Sequence, residues 1–218
     1  MIENPEKEVF NMRSLQPHKN VLSLLDSFEH DGHFWIVLEY ANGGDMFEYF
    51  RKIVDTGCID IDKSMRWFYQ VAIGLSHVHS SNIAHMDLSL ENLLMTLDGT
   101  IKICDFGLSQ YCTESIKCAR GKAFYMAPEI ANPKLQRTGT PGADVYDARK
   151  ADVFSLGVIL FILVIGYQPF EVPDNSDRCF MYLMKHGVRQ LILQFKCNVP
   201  EYIITLLEGM LVTHTRRS

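Results

Sequence analysis

The stretch His85-Met86-Asp87-Leu88-Ser89-Leu90-Glu91-Asn92-Leu93-Leu94 sets an aspartate and an asparagine five residues apart, with apolar anchors on both sides. Thirteen residues after Asn92 comes Asp105-Phe106-Gly107. Phosphoryl transfer to a hydroxyl asks for few parts: a carboxylate near the attacking hydroxyl, oxygen ligands for magnesium, and positive charge for the phosphate oxygens. Asp87, Asn92 and Asp105 supply the first two. Each short string occurs by chance, so their order and spacing carry the reading.

Around this stretch lie 218 residues, enough for one large domain or two small lobes, and 47% of them are hydrophobic, which supports a substantial core. The formal net charge of −5, without a long single-sign run, argues against nucleic acid or an anionic membrane as partner. The six cysteines form no C-x-x-C, so neither a zinc site nor a disulfide framework is indicated. No signal peptide begins at Met1, and reduced thiols in a cytoplasmic protein, with the nucleus as the alternative, are the expectation. Val153 to Gly166 is almost wholly apolar but too short for a bilayer span, which needs about 18–20 such residues. It is expected as a helix buried on all sides.

Along the chain, apolar spacing predicts helices over 3–15, 46–52, 64–79, 177–186 and 202–211. Strands are expected over 21–28 and 33–39, joined by a His30-Asp31-Gly32 turn, and around 93–95 and 101–103. Asn42-Gly43-Gly44 is a flexible break and Asp45 reads as the cap of the helix after it. Residues 110–122 and 132–146 lack periodicity and read as loops. His77 and His79, at i, i+2, do not share a helical face and read as structural or solvated.

Four ordered strings now carry a resemblance: HMDLSLENLL at 85–94, DFG at 105–107, YMAPE at 125–129 and DVFSLGVILF at 152–161. The chain resembles the eukaryotic protein kinase family, nearest to Ser/Thr kinases of the calcium/calmodulin-dependent type. The resemblance implies an α+β, bilobal fold: a partial N-terminal lobe over 1–38, lacking the Gly-rich loop and the lysine-bearing strand, a hinge over 39–44, and a helical C-terminal lobe over 45–218, truncated at its end. It implies ATP and Mg2+ as cofactors and a protein substrate with a Ser/Thr acceptor. Asp87 matches the aspartate that orients the hydroxyl, and Asn92 and Asp105 match the two magnesium ligands. Glu8 matches the helix glutamate that pairs with the nucleotide-binding lysine. Leu38 matches the gatekeeper, Glu39, Tyr40 and Ala41 the stretch that meets adenine, and Leu94 the apolar floor beneath it. Met12, Leu24, His85 and Phe106 match a stacked column joining the lobes, and Asp152 a buried helix-capping aspartate that holds the loop backbone. Asp45 and Glu91 match acids that meet basic residues upstream of the acceptor, although Asp45 also reads as a plain N-cap.

The sequence also departs from the family. No G-x-G-x-x-G and no V-A-I-K-like string occurs, which is the pattern expected either of a fragment of a longer protein or of a truncated gene product. The family usually carries lysine at the position of Ser89 and threonine at that of Lys122; here a lysine is lost from the first and appears at the second. Lys122 is expected to supply the displaced charge, the alternative being that it faces solvent. A non-catalytic pseudokinase acting as a scaffold or allosteric regulator is the rival function. An arginine paired with Glu129 is expected at 216 or 217, and 133–144 reads as an insert. Met86 replaces an arginine that binds phosphate on the loop over 110–122, and methionine cannot pair with a phosphate. Activity measured before and after phosphatase treatment is therefore expected to be the same whether Thr113 or Ser115 was phosphorylated or not. A large loss of activity would refute this.

Overall fold

A computed structural model of the protein describes residues 5–112, 121–131 and 147–211. Helix α1 (Pro5–Ser14) leads into strand β1 (Leu24–His30), paired antiparallel with β2 (His33–Leu38). Helices α2 (Met46–Asp55) and α3 (Ile61–Ser80) follow. Four short strands come next: β3 (Ile83–Ala84), β4 (Leu93–Met95), β5 (Ile101–Ile103) and β6 (Gln110–Tyr111), joined as β3–β6 and β4–β5 antiparallel pairs. The rest is helical: α4 (Pro128–Ala131), α5 (Ala148–Ile165), α6 (Arg178–His186), α7 (Val188–Gln194) and α8 (Glu201–Met210). The expected α+β class is what the described residues form.

Aspartates start four of these helices. Asp45, Asp60, Asp147 and Asp177 each accept a hydrogen bond from a backbone N–H of the first turn, at Glu48, Lys63, Arg149 and Phe180. Gly166 closes α5 in the left-handed region at φ 90°, and its N–H returns to Ile162 O. The expected elements are recovered with shifted ends. Helix α3 begins three residues early because Asp60 caps it, and β1 begins at Leu24, with Val21 in an isolated bridge to Ile103.

Three expectations are corrected. Residues 110–111 form a strand rather than loop, since their backbone pairs with Ile83 and Ala84. Asp152 does not cap α5: the helix starts one turn earlier, at Asp147, in a polar stretch without an apolar signal. Helix α7 was not expected at all, being seven residues long with no side-chain cap. The stretches 113–120 and 132–146 and the arginines at 216 and 217 lie outside the described residues.

Helix α5 is the centre of the core. From Phe154 to Ile165 its residues are all buried, and it packs against α3 and α8. Among the described residues, no helix is long and apolar enough to cross a membrane. Phe161 is wholly buried, edge-on to Phe195 with ring centroids 5.6 Å apart. Phe161→Ala is expected to cost about 3–5 kcal/mol in urea unfolding, whereas Tyr69→Ala, on the exposed face of α3, should stay within about 0.5 kcal/mol.

Candidate functional site

Residues 85–94 link β3 to β4, and their shape is imposed from below by α5. The Asp152 carboxylate, 1% exposed, accepts from His85 N at 2.7 Å, Met86 N at 2.8 Å and His79 Nε2 at 2.8 Å. The loop-holding role expected of Asp152 is thus met from within the helix. His85 is fully buried. Its Nδ1 accepts from Asp87 N at 3.3 Å, which leaves Nε2 to donate to Cys104 O at 2.9 Å. Its ring lies edge-on to Phe106, centroids 4.9 Å apart. Met12, His85 and Phe106 are buried and Leu24 packs against the apolar core; of the expected column, the contact between His85 and Phe106 is the one described.

Asp87, Asn92 and Asp105 are brought together by backbone pairing. Cys104 N donates to Asn92 O at 3.0 Å, setting Asp105 beside the asparagine. Asn92 Nδ2 donates to Asp87 O at 2.8 Å and to Asp87 Oδ2 at 2.9 Å. This orients the amide and leaves Oδ1 as a potential ligand. Asp105 is exposed at φ 63°, and its Oδ1 accepts from Gly107 N at 3.2 Å. No cluster of three or more His, Cys, Asp or Glu side chains forms among the described residues. The donor set is therefore one amide oxygen and one carboxylate. That suits Mg2+, which takes one or two protein oxygens and fills its shell with phosphate and water.

Beside these oxygens lies an apolar patch. Leu22, Ala41 and Cys104 are buried together, with Leu38 and Leu94 packed against them. Burial above all, and then the neighbouring Asp105 charge, pushes the Cys104 thiol up to about 12, so it stays neutral. Glu8 adds a smaller contribution in the same direction. The Glu39 carboxylate is engaged elsewhere: Lys102 Nζ lies 2.8 Å away, and Ser23 N donates to it at 3.2 Å. Burial works against the charged form of Glu39, but these partners outweigh it and hold its pKa below the ordinary value. What Glu39 offers a ligand is thus its backbone carbonyl. Asp45 Oδ1 is likewise taken, by Glu48 N at 2.8 Å.

The stretch 121–126 covers the other side of Asp87. Tyr125 O accepts from Ser155 Oγ at 2.7 Å, and the Tyr125 hydroxyl accepts from Leu90 N at 3.2 Å. Burial first, and Glu91 nearby, raise the pKa of that phenol. Glu91 Oε2 is buried with no hydrogen-bond partner. Lys122 Nζ sits 2.9 Å from Ser89 Oγ and 3.8 Å from Asp87 Oδ2. Sequence reasoning missed Tyr125 as a tie to the loop, and also Asn11, which is buried on α1 and donates to Ser109 O at 3.1 Å and Ser109 Oγ at 2.9 Å. The signal available was an asparagine among the apolar positions of α1. His77 and His79 are structural: His77 Nε2 bonds Gln16 O at 2.8 Å, and His79 bonds Asp152. Thr113 and Ser115 fall outside the described residues.

Comparison with known proteins gives one consistent answer. The family described as Protein kinase domain matches residues 2–217. The serine/threonine-protein kinase SAPK2 of Oryza sativa subsp. indica is 36% identical over 212 residues, covering 94% of this chain and 56% of the relative. CBL-interacting protein kinase 9 of Oryza sativa subsp. japonica is 35% identical over 179 residues, 80% of this chain and 36% of the relative. The serine/threonine-protein kinase SRK2A of Physcomitrium patens is 35% identical over 207 residues, 92% of this chain and 53% of the relative. The chain thus spans roughly a third to just over half the length of these curated relatives.

Asp152→Ala removes one buried carboxylate and strands two backbone N–H groups. It is expected to cost about 3–5 kcal/mol in chemical denaturation, with faster amide exchange at Met86 and Asp87 than at Val158.

Proposed function

The chain belongs to the protein kinase family, and from that premise we propose that it transfers the γ-phosphoryl group of ATP to a serine or threonine hydroxyl of a protein. The observation that carries this reading is the Asp87–Asn92 pair. One amide fixes the base with its nitrogen and keeps its oxygen for a cation. The Ser/Thr acceptor is supported by the relatives, which are named as serine/threonine-protein kinases.

In this reading residues 39–44 are the hinge between a partial lobe over 1–38 and a helical lobe over 45–218. The adenine ring lies on Leu22, Ala41, Cys104 and Leu94, with backbone groups of 39–41 at its edge. Glu8 is the α1 carboxylate turned towards the nucleotide. Asn92 Oδ1 and Asp105 would hold Mg2+, which when bound neutralises phosphate charge. Asp87 receives or orients the acceptor proton, and its carboxylate cannot swing away while Asn92 holds Oδ2. The Glu91 carboxylate, which lies beside the Tyr125 hydroxyl, supports a preference for Arg or Lys N-terminal to the acceptor, because an acid there is complementary to a cation. Free thiols at Cys58, Cys104, Cys112, Cys179 and Cys197 suit a cytoplasmic or nuclear setting.

A scaffold without catalysis is the second reading, favoured by one observation: Ser89 puts no charge in the loop. Radiolabelled transfer from Mg-ATP to a serine/threonine peptide library separates the two. Transfer is expected to peptides with upstream Arg or Lys, and to fall about 10²–10⁴-fold in Asp87→Asn. Nucleotide binding without transfer in the unmodified chain would instead select the scaffold. A flat library profile would remove the basic preference.

A further inference from the structure

We propose that Lys122 is the catalytic cation of this site, reaching the transferred phosphoryl group from the 121–126 stretch, with Ser89 as its hydrogen-bonded seat. The inference rests on the phosphoryl-transfer reading above and names a residue for the charge that reading leaves unassigned.

The geometry points to this role in three ways. Lys122 is the one cation within 4.0 Å of Asp87 among the described residues. Lys102, the other lysine near the cleft, is occupied by Glu39 at 2.8 Å and by Lys19 O at 3.1 Å. Second, the short contact of Lys122 is with a neutral group. Its ammonium lies 2.9 Å from Ser89 Oγ but 3.8 Å from Asp87 Oδ2, so it is not closed onto the carboxylate as in a tight ion pair. An ammonium has three donors; one is used on Ser89, and the rest remain for oxygens of a ligand. Third, the seat is built. Ser89 is fully buried, and Lys122 is the hydrogen-bond partner of its hydroxyl, while the lysine side chain keeps 35% exposure.

The step balances with groups already named. The acceptor hydroxyl oxygen bonds to the γ-phosphorus, and the bond from that phosphorus to the bridging oxygen breaks. The electron pair leaves on ADP, and the hydroxyl proton goes to Asp87. Negative charge spreads over the equatorial oxygens, and a fixed ammonium beside Asp87 stabilises it without moving a proton.

The test is a double-mutant cycle in the full chain, read by steady-state transfer and by the ratio of Mg-ATP to Mg-ADP affinity in calorimetry. Lys122→Thr is expected to lower kcat about 10²–10³-fold, with peptide KM within about threefold, and to reduce the preference for ATP over ADP about tenfold. Ser89→Lys together with Lys122→Thr returns an ammonium from the loop side and should recover at least about tenfold of the lost kcat. Lys122→Arg should retain part of the rate, because it keeps the charge. A Lys122→Thr kcat within twofold of the parent, or a double variant no better than Lys122→Thr, would overturn the proposal. Thermal unfolding of Lys122→Thr should show a small loss, because the buried Ser89 hydroxyl loses its partner, and the folded fraction is measured beside the kinetics. Asp87→Asn run in parallel tests the kinase reading itself. If the parent shows no transfer, that reading fails, and the affinity ratio still decides whether Lys122 meets the γ-phosphate.

Discussion

A single buried carboxylate, Asp152, holds the chemistry in place. Two oxygens take three donors, from the His79 ring and from the peptide nitrogens of His85 and Met86. An unpaired buried charge costs several kcal/mol, and here every close donor offsets that cost. The reward is local. Met86 sits at φ 67°, and a non-glycine residue in the left-handed region carries about 1–2 kcal/mol of strain. Its own N–H is one of the three that Asp152 binds. The strain turns the chain sharply just before Asp87, and the bond from α5 makes it persist. Asp105 repeats the pattern at φ 63°, between the buried Cys104 and Phe106. Both candidate site residues, Asp87 and Asp105, are therefore presented at or just after a turn in the left-handed region anchored in an apolar core.

Much of this architecture was legible in the sequence, and the limits follow from the range of the forces. Helices α2, α3, α6 and α8 announce themselves because an apolar stripe repeats every three to four residues, α5 because it is apolar on all sides, and the start of α2 because Asp45 caps it. The β4–β5 hairpin is equally local. What pairs across long separations was not readable: β6 is two residues long and exists only because Ile83 and Ala84 lie beside it. Helix α7 lacks both cap and length. Asp152 was recognised for its partners but misplaced as a cap, since the polar turn from Ala148 to Ala151 carries no apolar signal. Within the site, the order of Asp87, Asn92 and Asp105 was visible as a pattern. Their closeness depends on the Cys104–Asn92 backbone bond. That Glu39 and Asp45 spend side-chain oxygens on Lys102 and on a helix N-terminus could come only from the fold.

The two seams around the DFG stretch differ in kind. Phe106 is fully buried in the same cluster as α3 and α5, so its position rests on non-directional apolar contact. The contact of Ser109 to Tyr111 with α1 is mostly polar: Asn11 bonds Ser109, and Ser14 Oγ lies 2.9 Å from the Tyr111 hydroxyl. Two groups in this seam, Asn11 Oδ1 and Gln110 Nε2, are buried without partners. Each such group costs about 1–3 kcal/mol, so this seam holds less tightly than the core beneath it. The element that carries Glu8 is thus joined to the DFG stretch by directional bonds that a small shift breaks, while Phe106 is held by packing that a small shift does not break.

The approach of the 121–126 stretch to Asp87 depends on a residue with no side chain. Gly121 sits at φ 96°, and a Cβ there would lie 3.0 Å from Asp87 Oδ1 and 3.1 Å from Met86 O. Any other residue would be strained in that conformation and would push the stretch off the loop. Four residues on, Tyr125 is pinned to Leu90 N and to Ser155. Between a contact that only glycine permits and a tyrosine held at both ends, Lys122 has little backbone freedom, and its side chain is delivered over Ser89. In this molecule the electrostatics of the 85–94 loop are a property of a tertiary contact. The loop supplies the carboxylate and the amide, and the positive charge beside them comes from a separate stretch of chain that is close only because Gly121 lets it be.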